Sequence, residues 1–283
     1  MNKRDIYYID GEFVEDSLAM IPINDLALLR GYGVFDFLRT YNRKPFCIEE
    51  HITRLKNSAR LIGLMFPWTV GEVIEIVNQT LSRNHHSESN IRVIVTGGPS
   101  PDFLTPAGKP RLLVLVNQLV PFPAEWYTRG VKIITIQGAR SIPGAKTINY
   151  LSALIALETA RDRGAVEAIS INQEGNIKEG QTATVFSFIK DRLITNEDGI
   201  LPGVTRELVL RLTEPEFSRE IRDITIEELL RADEIFMTAS NKEILPVVRI
   251  DDTIISDGRP GPRSRRVMEL FRVYTDRFAA GKL

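Results

Sequence analysis

Two prolines at alternate positions constrain the fold of this 283-residue chain more than any other local feature. They lie in the segment Leu119-Val120-Pro121-Phe122-Pro123-Ala124, where they favour extended backbone and block a helix. A chain of this length can form one large domain or two medium ones. We therefore predict an N-terminal domain over residues 1–118, an interdomain linker over residues 119–129 and a C-terminal domain over residues 130–283.

Strand-like and helix-like segments alternate on both sides of this linker. The chain starts with a hairpin signal, in which Asp10-Gly11 separates two strand-like runs. Helical spacing of apolar residues predicts helices over Ile48 to Leu61 and Val70 to Arg83, and a later helix over Thr147 to Arg163. Strands grouped as hairpins and separated by helices indicate two α+β domains, of which the second is barrel-like.

The composition favours a protein that acts on small molecules. With 36 basic and 37 acidic residues the net charge is −1, so bulk charge favours neither nucleic acid nor an anionic membrane as a partner. No apolar run approaches the about 20 residues that cross a bilayer, and the start at residues 1–5 lacks the features of a signal peptide. Cys47 is the one cysteine and the three histidines do not have HxxxH spacing, so we expect no disulfide, no metal site and a cytoplasmic protein.

Lys146 occupies an unusual position for a solvated lysine. It stands at the predicted start of a helix, directly after the small or rigid residues Pro143-Gly144-Ala145. A lysine that forms a Schiff base needs partial burial to lower its pKa and small neighbours that let a cofactor approach. Taken alone, the position also fits an ordinary lysine in a surface loop.

Glu179 precedes a strand that should be mostly buried, Ala183-Thr184-Val185-Phe186-Ser187-Phe188. A carboxylate at such a place needs a partner, and the pyridine nitrogen of pyridoxal 5′-phosphate (PLP) is one that a glutamate keeps protonated. A glutamate exposed in a hairpin turn is the alternative interpretation.

Several residues could bind a phosphate group. Arg54 lies beside the apolar stripe of a predicted helix, where it can either reach solvent or present its guanidinium fork to an anion. Pro202-Gly203-Val204-Thr205 opens another helix, whose unpaired backbone N–H groups attract anions. The hydroxyls of Thr182, Thr205 and Ser240 could add hydrogen bonds. Each signal alone also fits plain helix capping.

Taken in order along the chain, these segments resemble the fold type IV PLP enzymes, which include branched-chain aminotransferases, D-amino-acid aminotransferases and aminodeoxychorismate lyases. The resemblance covers nearly the whole chain. The segments that carry it are Gly31-Tyr32-Gly33-Val34-Phe35, His51-Ile52-Thr53-Arg54-Leu55, Lys146-Thr147-Ile148-Asn149-Tyr150-Leu151, Lys178-Glu179-Gly180-Gln181-Thr182-Ala183-Thr184-Val185-Phe186, Leu201-Pro202-Gly203-Val204-Thr205-Arg206 and Phe236-Met237-Thr238-Ala239-Ser240-Asn241-Lys242-Glu243-Ile244-Leu245-Pro246-Val247.

The resemblance implies a fold, a cofactor and an activity. The fold has a smaller N-terminal α/β domain and a larger C-terminal pseudo-barrel domain that binds PLP. The activity is amino transfer between an amino acid and 2-oxoglutarate by a ping-pong Schiff-base mechanism, in which Lys146 carries the cofactor and shuttles the proton. The cofactor-binding residues that it implies are Arg54, Lys146, Tyr150, Glu179, Thr182, Val204, Thr205 and Ser240.

On the substrate side the sequence departs from its relatives. The resemblance implies substrate contacts for Arg30, Phe35, Arg92, Ala239 and Asn241. Family members usually have an aromatic residue at the position of Arg30, whereas Arg92 falls where branched-chain aminotransferases have an arginine for the side-chain carboxylate of glutamate. Two arginines suit a substrate with a carboxylate at each end. We expect branched-chain L-amino acids as substrates, with D-amino acids as the close alternative.

Two other functions remain open at this point. One is a lyase of the same fold that cleaves aminodeoxychorismate and needs no second oxo acid. The other is a PLP-free binding protein that kept the fold. The resemblance also implies a homodimer in which one subunit lends a loop to the other, and the irregular segments from Gly97 to Pro110 and at Pro121 and Pro123 are the candidates for that contact.

Overall fold

The computed structural model describes residues 4–283 and divides the chain into two units. Unit 1 holds the described chain up to Val120, together with Gly144–Asn149 and Phe278–Leu283, and unit 2 holds Pro121–Pro143 and Tyr150–Arg277. The first boundary between the units, after Val120, falls inside the predicted linker. A prediction of two consecutive domains could not have assigned Gly144–Asn149 and Phe278–Leu283 to unit 1. Residues 1–3, on which part of the signal-peptide argument depends, lie outside the described residues.

Unit 1 is built on a six-stranded antiparallel sheet with the order β2-β1-β6-β5-β3-β4. Its strands are β1 (Ile6–Ile9), β2 (Glu12–Glu15), β3 (Gly33–Tyr41), β4 (Lys44–Pro45), β5 (Ser89–Thr96) and β6 (Arg111–Gln118), and its helices are α1 (Leu26–Arg30), α2 (Ile48–Leu61) and α3 (Val70–Ser82). The predicted hairpin at Asp10-Gly11 is confirmed, since both residues have positive φ and join β1 to β2.

Helices α2 and α3 pack on one face of this sheet. Ile52, Leu55 and Ala59 of α2 are fully buried, as is Val77 of α3, and they share a core with the strand residues of β3, β5 and β6. Side chains alternate along β3, so that Val34 points into this core while Phe35 is half-buried on the other face. Val34 and Phe35 therefore lie on opposite faces of the sheet.

Residues 146–148 are added to this sheet as a short extended segment. The N–H of Phe35 donates to Lys146 O at 2.9 Å, the N–H of Ile148 donates to Gly33 O at 3.1 Å, and Val34 and Thr147 form an isolated antiparallel bridge. Because this pairing uses their backbone, Thr147 and Ile148 cannot be helical. The predicted helix start at Thr147 is wrong, and the helix begins at Leu151.

The chain end also returns to unit 1. The ring of Phe278 packs edge-on against Phe46, with 5.0 Å between centroids, and the carbonyl of Ala279 accepts hydrogen bonds from Asn42 Nδ2 and Lys44 Nζ, each at 3.1 Å. The last residues of the protein are thus bound to the β3–β4 hairpin.

Unit 2 is built on a nine-stranded sheet, with the path β12-β11-β10-β13-β14-β7-β8-β9 and β15 paired to β14. The elements are α4 (Ala124–Arg129), β7 (Val131–Gln137), α5 (Leu151–Asp162), β8 (Ala168–Ile171), β9 (Ile177–Gly180), β10 (Thr184–Ile189), β11 (Arg192–Thr195), α6 (Val204–Thr213), β12 (Ser218–Ile221), α7 (Ile226–Leu229), β13 (Glu234–Ala239), β14 (Glu243–Ile250), β15 (Thr253–Ile254) and α8 (Pro262–Ala279). Strand β9, at one end of the path, leads through residues 181–183 into β10 near the other end, so the sheet must curl back on itself. The predicted α+β class with a barrel-like second part is confirmed.

Helix α4 begins directly after Pro123, within the interdomain linker predicted over residues 119–129. A proline is tolerated at this point, since the N–H that it lacks has no partner in the first turn of a helix. The N–H of Trp126 donates to Pro123 O at 3.0 Å, and the ring of Phe122 stacks on Trp126 with 5.0 Å between centroids.

Two expectations from the sequence, the location of the protein and the lack of a metal site, can be compared with the helices and the side-chain clusters of the structure. None of the helices within residues 4–283 combines the length and the apolar character that crossing a bilayer requires. The same described range contains no group of three or more His, Cys, Asp or Glu side chains that could hold a metal ion. The expected cytoplasmic location stays a prediction.

Gly33 is the tightest point of the pairing between β3 and residues 146–148. A Cβ there would lie 2.8 Å from Ile148 Cδ1 and 2.8 Å from the carbonyl oxygen of Val95. We expect Gly33→Ala to destabilise the protein by about 1–3 kcal/mol, as overpacking of a filled interior does. The measurement is the thermal unfolding midpoint by circular dichroism.

The matched control is Gly71→Ala in α3, where nothing lies within 4 Å of the added Cβ. This change should leave stability equal or raise it by about 0.5–1 kcal/mol, because alanine favours a helix over glycine. Equal unfolding midpoints for the two variants would contradict the tight contact at Gly33.

Candidate active site

Lys146 is held by its backbone in unit 1. Its N–H donates to Ser58 Oγ at 3.1 Å, Ser58 Oγ in turn donates to Arg54 O at 2.9 Å, and Lys146 O accepts from the N–H of Phe35. The amine Nζ lies 4.7 Å from the centroid of the Phe35 ring, and the side chain is half-buried. Helix α2 and strand β3 therefore fix the backbone of Lys146, and its amine lies over the face of the Phe35 ring.

Arg54 belongs to a buried cluster with Asp36 and His51. Its Nε donates to Asp36 Oδ2 and its Nη2 to Asp36 Oδ1, both at 2.8 Å, and His51 Nδ1 lies 2.6 Å from Asp36 Oδ1. Asp36 is 0% exposed and Arg54 is 9% exposed. A guanidinium fixed by a bidentate carboxylate in this way is preorganised for a phosphate or a carboxylate ligand.

The protonation states of this cluster follow from its burial. Burial alone would raise the pKa of Asp36, but the charges and hydrogen bonds of Arg54 and His51 outweigh it and hold the pKa below its ordinary value. Burial holds the pKa of His51 below its ordinary value, and Asp36 offsets this only in part. Asp36 is thus a carboxylate and His51 a neutral imidazole, and we assign the proton of His51 to Nδ1, where it can donate to Asp36.

Arg92 and Phe35 lie on the same face of the unit 1 sheet. Arg92 is the strand partner of Phe37, and its guanidinium carbon lies 5.7 Å from the Phe37 ring and 6.0 Å from the Phe35 ring. Lys146 Nζ contacts the same Phe35 ring. Three predicted site residues, Lys146, Phe35 and Arg92, are thus brought together on this face.

Arg30 is placed differently. It is the last residue of α1, its side chain is exposed, and its Nη1 donates to the carbonyl of Leu29 at 2.8 Å. Gly31 ends the helix with φ 63°, which favours glycine. Within the described part of a single chain, Arg30 therefore lies on the outside of unit 1.

Glu179 is a buried carboxylate at the end of β9 in unit 2. Arg140 Nε lies 2.9 Å from Glu179 Oε1 as an ion pair, and the N–H of Leu201 donates to Glu179 Oε2 at 3.2 Å. Arg140 also donates through Nη2 to the carbonyl of Gln181 at 2.9 Å. Sequence reasoning missed Arg140, because it lies in an irregular loop; the need of a buried glutamate for a cation was the one signal that pointed to it.

Tyr150 stands at the N-cap of α5 in the same unit. Its Oη lies 3.5 Å from the carbonyl of Gln181, and the guanidinium carbon of Arg140 lies 5.9 Å from its ring centroid. Burial raises the pKa of the Tyr150 phenol, and the positive charge of Arg140 offsets this only in part. The phenol therefore keeps its proton at neutral pH and acts as a hydrogen-bond donor.

Thr182 is engaged with two residues that sequence reasoning also missed. Its hydroxyl donates to Glu167 Oε2 at 2.5 Å and accepts from Lys242 Nζ at 2.5 Å. The predicted residues Ala239, Ser240 and Asn241 are half-buried in the turn that joins β13 to β14, directly before Lys242. No motif marked Glu167, and Lys242 had been part of a family segment without a role.

The start of α6 carries the last two predicted residues, Val204 and Thr205. Gly203 is the N-cap, in extended conformation with φ −73° and ψ 123°, and it supplies no side-chain hydrogen bond to the first turn. A Cβ on Gly203 would lie 3.0 Å from Thr184 Oγ1, so the chain passes close to β10 here. Backbone N–H groups in such a first turn favour an anion.

The chain has clear relatives. The family model described as amino-transferase class IV matches residues 33–250. A Methanocaldococcus jannaschii protein, whose name assigns it only provisionally to the branched-chain-amino-acid aminotransferases, is 31% identical over 94% of this chain and 94% of its own. The D-alanine aminotransferase of Staphylococcus epidermidis is 31% identical over 94% of this chain and 96% of its own.

A solved structure also resembles this chain over nearly its whole length. The T.th. branched-chain amino acid aminotransferase with pyridoxamine 5′-phosphate has a TM-score of 0.90 and 27% identity, over 99% of this chain and 96% of that one. The family match extends over more than half of the chain and includes Arg54, Lys146 and Glu179. The chain therefore belongs to the class IV aminotransferases, enzymes that use pyridoxal 5′-phosphate.

Proposed function

We propose that this enzyme moves the amino group of an amino acid to 2-oxoglutarate in a ping-pong cycle. The observation that carries this proposal is Lys146, whose backbone is fixed by β3 and α2 while its amine lies over the Phe35 ring. A lysine with a fixed backbone and a half-buried amine can take a proton from one atom and return it to another. When bound, PLP supplies the electron sink that stabilises the charge left by that proton.

Each unit, taken by itself, offers residues that fit one part of this cofactor. For the phosphate we assign Arg54, held by Asp36, and the first turn of α6 with Val204 and Thr205, since both present N–H donors to an anion. For the pyridine nitrogen we assign Glu179, because a buried carboxylate accepts a proton or a charged donor.

Three hydroxyl-bearing residues complete the assignment of cofactor contacts. Tyr150 would donate from its protonated phenol to the phenolic oxygen, and Ser240 would add a hydrogen bond to the phosphate. Thr182 acts in this scheme through the ion pair that it bridges.

For the substrate we propose branched-chain L-amino acids, with glutamate as the amino-group donor of the reverse half-cycle. Phe35 and Phe37 offer an apolar face, and the guanidinium of Arg92 lies beside it for a carboxylate. The T.th. relative was solved with 4-methylvaleric acid and with an L-glutamate adduct of the cofactor, one branched apolar ligand and one dicarboxylic ligand. Ala239, Asn241 and Arg30 are the further substrate contacts that we assign.

D-amino acids are the second candidate substrates. The observation that favours them is the D-alanine aminotransferase relative, which matches this chain at the same 31% identity as the branched-chain relative. An arginine at position 30, in place of the aromatic residue expected there, also separates this chain from the branched-chain pattern.

We also propose that two copies of the chain form a homodimer. Met20 and Ile23 are 76% and 78% exposed in unit 1, and Leu151 and Leu154 of α5 are 67% and 60% exposed in unit 2. Exposed apolar groups of this size favour burial against another protein surface. A second copy is the occupant that the family resemblance supports.

The loop over residues 97–110 is a further candidate for that contact. Its carboxylate Asp102 accepts hydrogen bonds from Ser100 Oγ and from the N–H groups of Leu104 and Thr105, at 2.9, 3.0 and 2.6 Å. These bonds order the loop while Phe103 and Leu104 stay 54% and 69% exposed. An ordered loop that presents apolar side chains suits a protein contact.

A half-reaction screen tests the function. Holoenzyme is mixed with paired L- and D-forms of leucine, glutamate and alanine, and the change in the cofactor spectrum and the release of 2-oxo acid are followed. We expect turnover with L-leucine and L-glutamate, and none in Lys146→Ala, while the exposed control Lys56→Ala behaves as wild type. Faster reaction of D-alanine would favour the second candidate. A spectrum that changes with none of the six would exclude an aminotransferase and favour the lyase or the PLP-free binding protein.

Asp36→Asn tests the support of Arg54. Loss of this carboxylate charge removes the bidentate ion-pair partner of the buried guanidinium, and removing one partner of a buried pair costs about 3–5 kcal/mol. We expect a lower thermal unfolding midpoint and at least tenfold weaker PLP binding, measured by fluorescence titration of the apoenzyme. The control is Asp252→Asn, whose side chain is 95% exposed; PLP affinity equal in the two variants would refute the role of Asp36.

Light scattering on a size-exclusion column tests the homodimer. We expect twice the mass of the 32.0 kDa chain. Leu154→Glu should shift the protein towards the monomer, because it adds a charge to an apolar face. Val273→Glu on α8, another apolar residue that is 53% exposed, is the matched control and should leave the dimer intact. A wild-type monomer with full activity would rule out the proposal.

A further inference from the structure

Glu167 is the most completely paired carboxylate of unit 2. It lies directly before β8 and is 0% exposed. Its Oε1 accepts from the N–H groups of Ala168 and Gln181, both at 3.1 Å, and its Oε2 accepts from Lys242 Nζ at 2.7 Å and from the Thr182 hydroxyl at 2.5 Å. Four donors on one carboxylate fix it in one orientation.

Through these bonds Glu167 joins two turns that are far apart in the sequence. One is the turn over residues 181–183, which directly follows Glu179 and Gly180, and the other is the turn that ends at Lys242. The N–H of Lys242 donates to Ala239 O at 3.1 Å, so the backbone of the second turn is closed as well. The first turn carries Thr182 and the second carries Ala239, Ser240 and Asn241.

The Glu167–Lys242 ion pair lies in a tightly packed environment. A Cβ on Gly180, the residue after Glu179, would lie 3.1 Å from Glu167 Cγ and 3.1 Å from the carbonyl oxygen of Ala183. Glu167 therefore packs close to the backbone of the residue next to Glu179. Lys242 is 6% exposed, so neither member of the pair is compensated by solvent.

We propose that the Glu167–Lys242 ion pair is a positioning element that holds the turns beside Glu179 and Ser240 and balances the charge at the cofactor site. This inference rests on the proposed function, since it assigns the two turns to PLP. Lys242 acts through Glu167 and Thr182 and has no role in the reaction itself. Without its cation, Glu167 would be an uncompensated carboxylate in the unit that also holds Glu179 and its partner Arg140.

The charge balance involves groups from every element around Glu167. These are Glu167 itself, Glu179 of β9, Arg140 of the loop after β7, Tyr150 at the start of α5 and Lys242 of the β13–β14 turn. The two acids and two bases cancel. Removal of the Lys242 charge makes the surroundings more negative and favours the protonated form of any nearby group, whereas removal of the Glu167 charge has the opposite effect.

The test compares Lys242→Met, Glu167→Gln, the double variant and Thr182→Val with wild-type holoenzyme. Two readouts are used: the dissociation constant of PLP from fluorescence titration of the apoenzyme, and the midpoint of the pH titration of the cofactor absorption band. The matched control is Lys178→Met, a lysine of β9 that pairs with the exposed carboxylate of Asp223 at 3.0 Å. Circular dichroism verifies that each variant is folded.

We expect weaker PLP binding, by about fivefold or more, in Lys242→Met and Glu167→Gln, and none of this in Lys178→Met. The band midpoint should rise by roughly 0.5 pH units in Lys242→Met and fall by a similar amount in Glu167→Gln. It should return to the wild-type value in the double variant, which contains no uncompensated charge and keeps the test valid if a single variant does not fold. Thr182→Val should weaken binding without moving the midpoint.

Opposite shifts of the band midpoint distinguish this role from a merely structural one. A merely structural role would weaken PLP binding in both single variants without moving the midpoint in opposite directions. Wild-type affinity and midpoint in Lys242→Met, or shifts of the same sign in the two single variants, would overturn the proposal. Wild-type protein that binds PLP but transfers no amino group would refute the proposed function alone. Wild-type protein that binds no PLP would overturn both.

Discussion

The backbone pairing of residues 146–148 with the start of β3 is the interaction on which the candidate site depends. It fixes Lys146 by main-chain hydrogen bonds to Phe35 and through Ser58 to α2, so the position of the amine does not depend on side-chain packing alone. The absence of a Cβ at Gly33 is what permits this approach, because Ile148 fills the space a Cβ would take. The glycine-punctuated segment and the lysine segment are two parts of one structural element.

Within each unit, buried carboxylates rather than hydrophobic contacts set the direction of the polar groups. Asp36 orients Arg54 in unit 1, and Glu167 and Glu179 are matched by Lys242 and Arg140 in unit 2. A buried ion pair adds little net stability, because desolvation offsets its attraction, but it specifies one geometry. The buried ion pairs thus set the orientation of polar groups, whereas the apolar cores beneath the two sheets supply the stability of the fold.

The sequence predicted the parts of this arrangement that depend on local pattern. The Asp10-Gly11 hairpin, the α2 stripe and the mixed fold class follow from turn chemistry and periodicity. The start of α5 at Leu151 and the α4 helix after Pro123 did not, since the first depends on pairing with a distant strand and the second on tolerance of proline at a helix start. The sequence analysis missed Arg140, Glu167 and Lys242 for a related reason. Each of them has a partner that is distant in the sequence and that the fold of the sheet brings close, and spacing along the chain does not indicate such a partner.

The return of the chain end to the β3–β4 hairpin has a consequence for synthesis. Unit 1 contains Phe278–Leu283, and Phe278 packs against Phe46 near the other end of the polypeptide. Domains generally fold as units, beginning with the N-terminal one while the ribosome is still translating the rest. This enzyme cannot follow that order to completion, because unit 1 lacks its last contacts until residues 278–283 have been synthesised and have left the ribosomal tunnel.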